Sequence, residues 1–132
     1  NVPGGPGGID NAGWGRYRTE QQELVDFINQ NAITGVIIFS GDIHSGGGID
    51  NGINSYFPEV TVANTNMQNR DCTFKTGDCA STYWSQGITK PNPTTVGGGY
   101  GLVSVSTAGN GSVTLQVKDA EDGTLRREYT VF

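Results

Sequence analysis

Residues Val36-Ile37-Ile38-Phe39 form an unbroken apolar run with no polar residue between them. A strand with one wet face alternates. A run apolar on both sides predicts a central strand covered on both faces, as parallel strands are in layered α/β folds. The residues before it carry a helical period. Thr19 can cap, with Gln22 completing a capping box. Leu24, Val25, Ile28 and Ala32 then recur at helical spacing and Phe27 widens the apolar face, which predicts an amphipathic helix of about 12 residues after Thr19, to roughly Asn31. Thr34-Gly35 ends it. Helix, short turn, buried strand and a Gly-containing polar loop make an α/β unit over residues 1–45.

The end of the chain has a different period. Residues 102–107, 113–117 and 125–131 alternate apolar and polar side chains, and Asn110-Gly111 and Asp122-Gly123 stand between them as turns. Residues 100–132 are therefore expected to form a three-stranded antiparallel meander with one buried face. Asn110-Gly111-Ser112 matches a glycosylation sequon, but a hairpin turn accounts for it. Asp119, Glu121 and Asp122 lack EF-hand spacing and read as a solvated turn. Residues 46–99 read as a Gly-rich irregular insert with one alternating strand at residues 59–63 (EVTVA). Such an insert is uncommon unless it is functional or a lid. The pentapeptide GGIDN occurs at residues 7–11 and 47–51, a coincidence in a chain with 21 glycines among 132 residues. The fold class expected is α/β (α+β).

A net charge of -5 argues against nucleic acid and anionic membranes as partners. No apolar run reaches the roughly 18 residues of a membrane span. The chain opens on a Gly/Pro-rich loop without an initiator Met, so its beginning is expected to be missing. Cys72 and Cys79 are the only cysteines, set in a polar stretch. A disulfide closing this small loop fits an oxidising, secreted or periplasmic location; two free thiols are the alternative.

His44 is the only histidine and follows Asp42 by two, beyond the apolar run. Ligand sites in open α/β sheets gather at the carboxyl ends of strands. Residues i and i+2 of an extended segment face the same way, so a carboxylate and an imidazole there suit a hard or borderline divalent or trivalent cation. Gly41 would let the backbone turn, and the glycines after Ser45 would leave room for a bulky anion. A His hydrogen-bonded to Asp42 for structural reasons is the plain alternative.

The succession W-x-x-Y, E-x-x-x-L-x-x-F-I and V-I-I-F-S-G-D-I-H-S over residues 10–45 resembles the C-terminal portion of PhoD-like alkaline phosphatases/phosphodiesterases. Residues 98–132 resemble that family's closing strands more loosely. These belong to the calcineurin-like metallophosphoesterases, in which two packed sheets flanked by helices (an αββα sandwich) hold a binuclear or larger centre. The resemblance implies that Asp42 and His44 are metal ligands, with calcium and iron the expected ions. It implies a secreted phosphoric ester hydrolase, with a phosphate ester as substrate. The family more often has W-x-G-Y where this chain has Trp14-Gly15-Arg16-Tyr17; packing is the expected role of Trp14 and Tyr17, and solvation that of Arg16 and Arg18.

No nucleophile or general base is assigned from the sequence. Two donors cannot hold two metals, since each cation seeks four to six ligands. Glu20, Glu23 and the acids of the 119–122 turn share no focus. The segment alone is therefore expected to be inactive, completed by an N-terminal half of the same domain in the same chain or a cleaved partner. The competing expectation is a non-catalytic, β-rich extracellular structural or assembly module, self-associating or descended from a phosphatase.

Overall fold

In the computed structural model the described residues are 17–41, 47–62, 84–89 and 98–132. The elements run α1 (Arg18–Gln30), β1 (Ile38–Ser40), β2 (Gly47–Asn51), β3 (Pro58–Val62), β4 (Ile88–Thr89), β5 (Gly99–Ser106), β6 (Ser112–Asp119) and β7 (Leu125–Thr130). The chain is mixed α+β, with one helix and two small sheets ordered β1-β3-β2-β4 and β5-β6-β7 among the described residues.

The C-terminal meander forms as its alternation requires. Val103 pairs with Leu115 and Val105 with Val113 across β5 and β6, and Leu115 pairs with Tyr129 across β6 and β7. All of these stand on one face, because cross-strand partners share a face. That face meets the first sheet in a core of Ile49, Val60, Leu115 and Val117, flanked by Ile37, Val103, Val113, Tyr129 and Val131.

The helix departs from expectation at both ends. It begins at Arg18, Tyr17 occupies the N-cap without a side-chain cap bond, and Thr19 lies inside the first turn. The capping box therefore does not form; Gln22 Nε2 instead donates to Asp26 Oδ1 at 2.7 Å. At the other end Ala32 takes a left-handed φ of 50°. Its N–H donates to the Asn29 carbonyl, and the Ile33 N–H to the Ile28 carbonyl. This is a Schellman ending with alanine where glycine is usual, so Ala32 closes the helix rather than extending its apolar stripe. Gln21, Val25 and Ile28 are buried, while Leu24 and Phe27 are exposed.

The apolar run forms β1, and its pairing on both edges and cover on both faces are not complete among the described residues. β1 lies at the sheet's edge among the described residues, parallel to β3 and paired on one side only. Phe39 is 62% exposed. A continuous apolar run predicts cover on both faces, but it carries no information about which strands supply that cover. Among the described residues, 46–99 include the strands β2, β3 and β4, where the sequence predicted one. β2 escaped because it starts with two glycines, which weaken strand propensity. No helix among the described residues is long and apolar enough to cross a membrane.

Candidate functional site

β1 and β3 run parallel, so their carboxyl ends lie together, with Ser40 opposite Thr61. β2 returns antiparallel on the other side of β3, bringing Gly48 opposite the same Thr61. The two anchors of the G-D-I-H connection therefore flank one residue near the carboxyl end of β3. Asp42, His44 and the rest of residues 42–46 lie outside the described residues. So do Cys72, Cys79, Trp14 and Arg16. Tyr17, expected to pack, is exposed.

The glycines flanking the connection are not used as the sequence suggested. Gly41 has no left-handed φ, and a Cβ there would meet only the Val62 carbonyl oxygen at 3.8 Å, an ordinary contact. Gly47 and Gly48 serve close packing instead of making room for an anion. A Cβ on Gly47 would lie 2.7 Å from Val117 Cγ1, and one on Gly48 would lie 2.7 Å from Trp84 Cδ2. The start of β2 is thus clasped between the meander on one face and a buried indole on the other.

On that second face, away from the meander, the first sheet buries polar side chains. Asp50, Glu59 and Thr61 have no exposed surface. Asp50 is fully bonded: it accepts from the N–H groups of Gly52, Asn54, Ser55 and Ser85, and from the Asn54 amide and the Ser55 hydroxyl. Burial pushes its carboxyl up, but bonds from Asn54, Ser55 and Ser85 outweigh this and hold it below the usual aspartate value. It ties residues 52–55 to Ser85.

Glu59 is less well served. The Ser40 hydroxyl donates to its Oε1, but among the described residues Oε2 has no partner, and neither does the Thr61 hydroxyl. Burial pushes the Glu59 carboxyl up to about 7, against the Ser40 bond and helped by the nearby Asp50 charge. Helix α1 covers the β1 side of this face. Between Gln21, Leu24, Val25 and Ile28 of the helix and Val36, Ile38 and Phe57 lies a cleft of about 310 Å³.

Comparison with known protein families, curated proteins and solved structures returned no match.

Ser40, Asp50, Glu59 and Thr61 were not singled out from the sequence. The alternation of EVTVA did place Glu59 and Thr61 on one face and Val60 on the other, which the structure keeps. Alternation separates two faces, but it does not say that the polar one is dry. Among the described residues no three His, Cys, Asp or Glu side chains converge as a metal group. The 119–122 turn is exposed and internally bonded: Arg126 Nη2 meets Asp119 Oδ2 at 2.6 Å, and Asp122 accepts from the Thr124 N–H.

Proposed function

We propose that this chain contributes one metal-binding corner, Asp42 and His44, to a secreted PhoD-like metal-dependent phosphoric ester hydrolase. The observation that carries the reading is the topology at Ser40-Gly41. The G-D-I-H connection leaves the carboxyl end of a strand that is parallel to its neighbour, where α/β sheets gather their ligands. The donor set supports it as well, since one carboxylate and one imidazole suit a borderline cation such as iron. Cations bound there would polarise a phosphoryl oxygen and lower the pKa of a bound water. Asp42 and His44 hold those cations; neither serves as nucleophile or general base.

Further ligands come from an N-terminal half of the domain. Phe39 on β1 and Leu24, which lines a cleft with Ile38, are exposed, and β1 is paired on one side only among the described residues; this supports such a partner, because apolar strand edges are normally paired or covered. The Cys72–Cys79 pair supports an oxidising location.

The test uses the natural full-length protein, with bound metals analysed and p-nitrophenyl phosphate and bis-p-nitrophenyl phosphate as substrates. His44→Ala is expected to abolish turnover and reduce bound metal, and residues 1–132 alone are expected to be inactive. Full activity of His44→Ala would overturn the metal site. Metal-dependent turnover by the isolated segment would overturn the need for a second half.

A further inference from the structure

The cleft beneath α1 sets one unpaired donor in an apolar wall. Its volume of about 310 Å³ is that of a small-molecule pocket. Gln21 lines it and is only 3% exposed, yet among the described residues its Nε2 has no hydrogen-bond partner. A buried donor without an acceptor lowers stability, and a leucine would fill the same place without that cost. Water is a poor remedy, because an ordered water needs roughly two to four polar partners. The Ser55 hydroxyl, also in the wall, is already engaged with Asp50 Oδ2 at 2.9 Å and the Phe57 carbonyl oxygen at 2.7 Å. Between Ser55 and Phe57, Tyr56 takes a left-handed φ of 66°, which is strained for an aromatic residue. Such strain persists where neighbouring bonds over-determine it, and it gathers at ligand clamps. Tyr56 lines the cleft while half exposed, so it stands at the mouth.

We propose that this cleft binds a neutral, largely apolar carbonyl compound. Its oxygen accepts from Gln21 Nε2, and its hydrocarbon part lies among Val25, Ile28 and Phe57. An acceptor is required because the unpaired group is an N–H. The terminal torsion of glutamine is soft, so the amide can turn toward the occupant. Neutrality follows from the wall: among the described residues no charged side chain lines the cleft, and a carboxylate or ammonium there would be buried unpaired. None of these residues belongs to the 42–46 connection, and the cleft stands whether or not metal binds there.

The experiment titrates the natural full-length protein by NMR with three probes: acetophenone, α-methylstyrene, which has the same shape without the acceptor, and benzoate. Acetophenone is expected to bind saturably and to shift the side-chain NH₂ signals of Gln21. α-Methylstyrene is expected to bind about 3- to 10-fold more weakly, the worth of one hydrogen bond, and benzoate more weakly still. Gln21→Leu should bring acetophenone down to the level of α-methylstyrene while folding at least as stably as wild type. Val36→Phe, which fills the cleft, should abolish binding of both. The comparison of probes on wild type needs no variant to fold. Absence of saturable acetophenone binding would show a cleft closed or already filled by another part of the protein, and would overturn the proposal. Equal acetophenone affinity of wild type and Gln21→Leu would overturn the role of the amide. A Gln21→Leu variant less stable than wild type would show that the amide has a structural partner, and would also overturn it.

Discussion

The β5–β7 meander and the β1–β4 sheet meet across one apolar core, yet they treat their outer faces differently. The meander turns Thr114 and Gln116 outward, where Thr114 meets Thr130 and Gln116 meets Glu128 in solvent-exposed bonds. The β1–β4 sheet buries Asp50, Glu59 and Thr61 on its outer face. Exposed polar pairs exchange with water and contribute little, whereas a buried polar group must find a partner or lose its hydration uncompensated. Polar side chains are therefore decoration in one sheet and architecture in the other. The candidate site belongs to the second.

The largest expected effect comes from deleting the same kind of group in the two regions. Asp50→Ala leaves four backbone N–H groups without their acceptor and is expected to lower stability by about 3–5 kcal/mol. Gln116→Ala is expected to cost less than about 0.5 kcal/mol. Urea unfolding of both variants measures the contrast, and similar costs would abolish it.

The next effect is pH dependence. Glu59 holds its proton in the folded chain up to about pH 7, against an ordinary value of 4.5. Between those values the folded state binds the extra proton, so this contribution to stability falls as pH rises, by up to about 3 kcal/mol, and levels off above 7. Asp50 works in the opposite sense: its carboxyl lies below the ordinary value, and its contribution is lost only as pH falls through that lowered value. Glu59→Gln should flatten the decline between pH 5 and pH 8. Parallel stability curves for wild type and variant would refute the assignment.

A smaller effect sharpens the comparison at the glycines. Gly48→Ala forces a methyl against the Trp84 ring and is expected to cost about 1–3 kcal/mol. Gly101→Ala, in the meander, meets Val62 Cγ1 at 3.2 Å, a side chain able to shift slightly, and is expected to cost less than about 1 kcal/mol. Thermal melting of the pair reads the difference, and a costlier Gly101→Ala would reverse the ranking of the two surfaces.

The sequence by itself determined the meander, down to its turns, and the existence of α1. Both are written in short-range periods: alternation over 102–131, and the recurrence of Val25 and Ile28 along a helix. It also placed Glu59 and Thr61 on the face opposite Val60. Only the tertiary structure decided that this face is dry, that β1 runs parallel to β3, and that Gly47 and Gly48 are packing glycines. It also joined Ser40 to Glu59. Local pattern records which side chains share a face, because backbone geometry repeats every two or 3.6 residues. What lies against that face is set by segments distant in sequence, such as Trp84 over Gly48 and Ser85 on Asp50, and no local period encodes their arrival.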